Sequence, residues 1–122
     1  MPNNPNEPSP IRIFTTEEFE RQLRSLLKRY RSIQSDIQPI IEQLQASKAL
    51  GDKIQNVGYP VFKVRVQNSD IQKGKSGGYR LIYYMQLSSE IVLITIYAKS
   101  DRQDISAKEV RRIIELFVNE LY

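Results

Sequence analysis

Apolar residues recur along the first third of the chain at helical spacing. Thr15 and Glu18 have the spacing of a capping box, in which the first residue caps a helix and the second reaches back to it. The apolar positions that follow lie three or four residues apart, as on one face of a helix. They are Phe19, Leu23, Leu26, Leu27 and Tyr30. The pattern predicts a first helix that begins after Thr15 and ends near Arg31.

A second apolar stripe predicts another helix directly afterwards. Its members are Ile37, Ile40, Ile41 and Leu44. Ser35 or Asp36 is the expected cap, which places Pro39 in the first turn, where proline is tolerated. The stripe fades before Gly51, and residues 51–60 contain two glycines and a proline, as is typical of a connection.

The middle of the chain changes to strand patterns. Residues 61–66 alternate, with apolar side chains on one face and Lys63 and Arg65 on the other. Residues 79–85 and 91–97 predict two further strands joined by a hairpin connection. The last of these opens with four consecutive apolar residues, which is typical of a central strand covered on both faces.

A final helix completes the predicted fold. Ser106 and Glu109 form another capping box. The expected inward-facing residues are Val110, Ile113, Ile114, Phe117, Val118 and Leu121. Residues 11–13 form a short extended lead-in. We therefore predict an α+β fold with two N-terminal helices, a mainly antiparallel sheet of three to four strands, and a C-terminal helix, with the helices on one sheet face.

Composition limits the chemistry and the number of domains. The 122 residues are enough for one core, and we expect a single domain over residues 11–122. Residues 1–10 hold four of the six prolines and predict a disordered arm. The chain has no cysteine and no histidine, so we expect no metal site and no cofactor. It has no apolar run of membrane-spanning length, and the default expectation is a soluble cytoplasmic protein.

Positive charge is concentrated in one stretch. Residues 63–80 hold five Lys or Arg against one Asp, and this net +4 equals the net charge of the whole chain. Within the stretch, residues 73–80 read KGKSGGYR, which predicts a glycine-rich cationic loop that leads into a strand. Such a patch indicates a polyanionic partner, most simply nucleic acid. The alternative is a loop whose charge only keeps it solvated.

Three segments together resemble a known family. They are residues 62–65 (FKVR), 73–84 (KGKSGGYRLIYY) and 93–99 (LITIYAK). In order and type they resemble RelE/HigB toxins of type II toxin–antitoxin systems, most closely the HigB-like branch, over residues 15–120. The resemblance implies a ribosome-dependent endoribonuclease that cleaves messenger RNA, with a cognate helix-turn-helix antitoxin (HigA-like) as its partner.

The resemblance also implies a set of site residues. The candidate catalytic residues are Lys73, Lys75, Arg80, Lys99 and Tyr97. The candidate RNA-binding residues are Lys63, Arg65, Gly77, Gly78 and Arg102. The sequence departs from the family where RelE members carry a tyrosine near the start of the last helix, since Ile105 stands there. An expected arginine after Lys99 is replaced by Ser100. Tyr97 and Arg102 are the nearest substitutes.

Two other function classes share parts of this pattern. One is a ParE-like toxin that acts on DNA gyrase by contact, and the other is a non-catalytic RNA-binding module. The cluster of Arg65, Lys73, Lys75 and Arg80 favours the nuclease, because a gyrase-binding surface has no need of it. Tyr79, Tyr83 and Tyr84 are predicted to pack within the sheet rather than to stack on bases.

Overall fold

The computed structural model describes residues 11–71, 77–87 and 89–121. Its elements are β1 (Arg12–Thr15), α1 (Glu17–Leu27), α2 (Ile33–Gln45), β2 (Asp52–Lys53), β3 (Val61–Val66), β4 (Tyr79–Leu87), β5 (Glu90–Ala98) and α3 (Ala107–Leu121). The predicted α+β class and the order of the helices and main strands are confirmed. The predicted arm at residues 1–10 and the candidate lysines Lys73 and Lys75 lie outside the described residues.

The strands form one sheet in the order β1-β5-β4-β3-β2. Neighbouring strands are antiparallel except for β1, which runs parallel to β5 with Arg12 opposite Glu90. The described sheet has five strands, whereas three to four were predicted. The additional strands are short, and β2 lies in the segment that was predicted as a connection. β1 pairs with a strand that begins only at Glu90, and β2 has two residues, too few to show an alternating pattern, so local sequence patterns reveal neither.

Helices cover both faces of the sheet, so the prediction of helices on one face is wrong. On one face α1 and α2 bury a core that includes Phe19, Ile37 and Leu93. On the other face α3 and the segment around Val57 bury a second core that includes Ile114. Because successive side chains of a strand point to opposite faces, the apolar run of β5 requires cover on both. The predicted double burial of this central strand is confirmed, since residues 91–98 are all buried.

The boundaries of the first helix differ from the predicted ones, in part because a residue predicted as its cap pairs in the sheet instead. The cap of α1 is Thr16 and not Thr15, because Thr15 belongs to β1 and pairs with Leu93. The Thr16 hydroxyl accepts a hydrogen bond from the Phe19 amide at 2.9 Å and donates one to the Ile94 carbonyl at 2.6 Å. The helix ends at Leu27 rather than near Arg31.

The second helix begins earlier than predicted. It starts at Ile33, which places Pro39 in its interior instead of its first turn. Asp36 does not cap the helix; its carboxylate accepts hydrogen bonds from the backbone amide and the hydroxyl of Ser69, at 2.9 and 3.1 Å. This carboxylate therefore ties α2 to the turn that follows β3.

Candidate functional site

Three neighbouring strands bring two arginines and a tyrosine side by side. Arg65 of β3 lies opposite Arg80 of β4, which in turn lies opposite Tyr97 of β5. Residues opposite each other in adjacent strands project from the same face. Tyr97 belongs to the core beneath α3, so the whole Arg65–Arg80–Tyr97 row lies on the α3 face. The sheet thus provides a rigid base for three of the predicted site residues.

Arg80 is held in place by backbone carbonyls. The residue is 7% exposed, and its Nη1 donates to the carbonyls of Gly77 and Tyr79, the latter at 3.2 Å. No carboxylate among the described residues forms an ion pair with it. A guanidinium has five N–H donors, and the donors of Nε and Nη2 meet no acceptor in the described part of the chain. Within the described part of the chain, Arg80 is therefore a fixed positive charge with donors to spare.

Two glycines make room beside this guanidinium. Gly77 and Gly78 have φ angles of +79° and +60°, a backbone conformation that favours glycine. A Cβ atom at Gly77 would come within 3.2 Å of Nη2 of Arg80. At Gly78 it would lie 2.2 Å from the Val66 carbonyl oxygen. The predicted glycines thus serve close approach, both to the Arg80 side chain and to the backbone of β3.

Tyr97 places a buried hydroxyl in the same row. Its oxygen has no hydrogen-bond partner in the described structure, and the Arg102 guanidinium carbon lies 5.5 Å from the centre of its ring. Burial raises the pKa of Tyr97, and the nearby Asp104 carboxylate raises it further, while Arg80 and Arg102 act in the opposite direction. At neutral pH this phenol keeps its proton and has a donor available.

The cations at the rim of the row contact the segment that leads into α3 and the first turn of α3 itself. Lys63 Nζ lies 3.0 Å from Asp104 Oδ1, and Arg102 Nη2 lies 3.0 Å from Glu109 Oε1. Lys99 donates through Nζ to the Gln103 carbonyl, and its backbone amide donates to the Gly78 carbonyl at 2.8 Å. Lys63, Lys99 and Arg102 therefore surround the row but already have partners within the chain.

Sequence reasoning identified the cations of this site and missed its carboxylates. Asp104 and Glu109 neutralise two of the predicted RNA-binding residues. Lys63 and Asp104 are 41 positions apart in the sequence, so no local spacing predicts their contact. Ile105, which replaces the family's tyrosine, is buried in the core beneath α3. It offers no proton, which leaves Tyr97 as the tyrosine of the row.

The other tyrosines of the sheet serve packing, as predicted. Tyr79 and Tyr83 are fully buried, and Tyr84 is 9% exposed. Tyr79 packs edge-on against Tyr30 with ring centres 5.8 Å apart. Phe62 stacks on Tyr83 at 5.3 Å. None of these rings offers a free face to a base.

The described residues form neither a metal-binding cluster nor a membrane-spanning helix. No group of three or more carboxylates comes together there that could hold a metal ion. Within the same ranges, no helix has the length and apolar character needed to cross a membrane.

The fold and the site together define a class of protein: a small α+β domain whose sheet carries a row of fixed cations and a tyrosine at one end. A family model described as the RelE toxin of the RelE/RelB toxin–antitoxin system matches residues 11–119. The chain belongs to this RelE toxin family, which confirms the resemblance at the level of the family. A search of the curated proteins finds no match.

Proposed function

We propose that this toxin cleaves messenger RNA on the ribosome and so inhibits translation, and that it does so without a metal ion. The observation that carries the proposal is the fixed guanidinium of Arg80, which has no carboxylate partner among the described residues, beside the protonated hydroxyl of Tyr97. We further place the chain in the HigB-like branch, on the strength of the KGKSGGYR segment.

The chemistry requires little beyond charge and proton transfer. The ribose 2′-hydroxyl attacks the adjacent phosphorus while the bond from phosphorus to the 5′ oxygen breaks. Negative charge builds on the non-bridging phosphate oxygens, and donors that are fixed in advance stabilise it. Arg80 is suited to this because its backbone hydrogen bonds hold it still. Arg65, directly opposite in β3, adds a second positive charge on the same face.

Proton transfer requires one group to take a proton and another to supply one. Tyr97 retains its proton at neutral pH and is proposed to supply it to the departing 5′ oxygen. Because its hydroxyl is buried, this step requires the bound RNA to displace the side chains that cover it. Of Lys73 and Lys75, one is proposed to remain a cation that stabilises the phosphate charge, and the other, in its neutral amine form, is proposed to take the 2′-hydroxyl proton. A lysine among other cations is suited to that role, because like charges lower its pKa.

The proposed partners follow from the family and the charge. A helix-turn-helix antitoxin of the HigA type, encoded beside the toxin, is the expected inhibitor. The ribosome and its message are the expected target, which places the action in the cytoplasm. An acidic antitoxin segment would relieve the repulsion among the cations of the site.

Replacing Arg80 tests the proposal. In Arg80→Gln the side chain keeps an uncharged amide donor, while the positive charge is lost. We expect the cleavage rate of a message in a translation extract to fall about a hundredfold, as on loss of one transition-state donor. Arg24→Gln, which removes an exposed charge from α1, is the matched control and should cleave normally.

Thermal unfolding of both variants must accompany this assay. A folded Arg80→Gln protein that cleaves as fast as wild type would contradict the assigned site. Intact messages together with an induced DNA-damage response would instead favour a ParE-like action on gyrase.

A further inference from the structure

Asp104 is a carboxylate set among cations. Its pKa is lowered, first by the hydrogen bond from Lys63 and then by the backbone amide of Ile105, with further contributions from the charges of Lys63 and Lys99. It therefore remains negative at any pH at which the toxin would meet RNA. The surface that should attract phosphate thus holds a negative charge of its own.

The geometry fixes this carboxylate in position. Oδ1 of Asp104 accepts from Lys63 Nζ at 3.0 Å and from the Ile105 amide at 2.8 Å. The side chain of Asp104 is 65% exposed and that of Lys63 is 31% exposed. The amide contact holds Asp104 whether or not Lys63 stays bound. An exposed ion pair of this kind contributes little to folding stability, so a stabilising role does not account for it.

The position of Lys63 on β3 suits it to bind a phosphate of RNA, and Asp104 occupies that place. Lys63 and Arg65 lie two residues apart on one face of β3, about 7 Å along the strand. This separation is comparable with that of neighbouring phosphates in an extended nucleic-acid strand. In the described part of the chain Arg65 and Arg80 have no carboxylate partner, whereas Lys63 has one.

We propose that Asp104 is an internal counter-ion that competes with an RNA phosphate for Lys63 and so limits the affinity of the toxin for RNA. The proposal rests on the proposed function, since it takes RNA as the ligand of this face. An incoming phosphate takes the place of the carboxylate at Lys63 Nζ, and Asp104 stays on the Ile105 amide. Because of this competition, the toxin binds RNA more weakly than it would if Lys63 had no carboxylate partner.

Equilibrium binding without cleavage tests this competition. The probe is a fluorescent single-stranded oligoribonucleotide with 2′-O-methyl riboses, which cannot be cut by 2′-hydroxyl attack. The protein is the full chain, as wild type or as Asp104→Asn. Asparagine retains an acceptor for the Ile105 amide but has no charge. We expect about two- to fivefold tighter binding, the range that an exposed ion pair supports.

Salt dependence gives a second measure of the same event. Freeing Lys63 lets it neutralise one more phosphate, so the slope of log affinity against log salt concentration should steepen by about 0.7. Asp101→Asn is the matched control. Asp101 lies in the same segment but pairs with Arg29, with Oδ2 2.8 Å from Nη1. Asp101→Asn shows how much RNA affinity changes when one negative charge is removed elsewhere. The gain in affinity from Asp104→Asn must be larger than that change.

A double-mutant cycle assigns the effect to Lys63. Lys63→Gln should weaken binding more in the Asp104→Asn protein than in the wild type, because only there is Lys63 unoccupied. Equal losses in the two backgrounds would overturn the competition. So would Asp104→Asn binding that is no tighter than that of Asp101→Asn. If neither the wild type nor Asp104→Asn binds the oligoribonucleotide at any salt concentration, the competition is overturned. Failure of the wild type to cleave a message in the translation extract would instead contradict the proposed function, so the two results are distinct.

Discussion

At the scale of single residues, the two glycines before β4 decide how closely backbone and side chains approach at the site. Gly78 follows Gly77, and both lie in the left-handed region. Gly58 also has a positive φ, of +88°, but nothing lies within 4 Å of the position that its Cβ would occupy. Gly78 and Gly58 therefore form a matched pair, one crowded and one uncrowded, with the same backbone preference.

Alanine substitutions at these two positions should differ in cost. Gly58→Ala should lower the free energy of unfolding by about 1 kcal/mol, because only the left-handed conformation is disfavoured. Gly78→Ala should have the same effect and also push a methyl group against the Val66 carbonyl, which costs about 1–3 kcal/mol more. Urea denaturation of the two variants measures both costs. Equal stability of the two variants would show that β3 and the start of β4 are less closely packed than described.

The site residues were predictable to the extent that charge and motif reveal them. Arg65 and Arg80 were identified from the basic stretch, and the structure places them opposite each other. Tyr97 was predicted only as a substitute for the missing tyrosine, because no sequence pattern predicts a buried hydroxyl without a hydrogen-bond partner. Asp104 was missed since it belongs to a polar segment whose contact with β3 arises only when the chain folds.

At the scale of elements, the two capped helices carry hydroxyl caps of different kinds. Ser106 accepts a hydrogen bond from the Glu109 amide at 3.1 Å and lies at the surface. Thr16 is 3% exposed, and its hydroxyl also donates to β5. One cap therefore serves a helix end alone, whereas the other joins a helix to the sheet.

Removing these caps should give unequal losses of stability. Ser106→Ala should cost about 1 kcal/mol, the usual value for a lost cap. Thr16→Ala also leaves the Ile94 carbonyl without its donor in a buried place, which adds about 1–3 kcal/mol. Thr16→Ser retains the hydroxyl and serves as the control. Chemical denaturation would contradict this account if Ser106→Ala proved the more damaging change.

Element prediction succeeded where the signal is local and failed where the sheet overrides it. The start of α3 at its serine cap and the alternating strand β3 are as predicted. The start of α1 is shifted by one residue because Thr15 is taken by β1. The start of α2 was placed too late, since Ser32 precedes the helix without a side-chain capping bond and so lacks the usual signature.

At the scale of the whole molecule, four tyrosines are buried within the sheet, and burial raises the pKa of each. They are Tyr79, Tyr83, Tyr84 and Tyr97. In the unfolded chain tyrosine titrates near its ordinary value of about 10. As the pH rises past that value, the unfolded chain loses these protons while the folded protein keeps them.

The protein should therefore lose stability in alkaline solution. The contribution of the buried phenols is complete below about pH 10 and declines as the pH rises through the folded pKa values. Tyr79→Phe should show a shallower decline, and little loss at neutral pH, since its hydroxyl has no hydrogen-bond partner in the described structure. The urea midpoints of the wild type and of Tyr79→Phe, measured at each pH, compare the two declines. Lysine titration affects both proteins equally and cancels in the comparison. Parallel curves of midpoint against pH would contradict the prediction.

The parallel pairing of β1 with β5 also bears on how the protein is made. β1 leaves the ribosome first, but its partner strand begins only at Glu90. Synthesis runs from the N-terminus, so β1 stays unpaired until most of the chain exists, and contacts this distant in sequence form slowly. Tyr97 of the Arg65–Arg80–Tyr97 row comes from the same late strand. A nascent or prematurely terminated chain that ends before β5 has neither the complete five-stranded sheet nor the complete Arg65–Arg80–Tyr97 row.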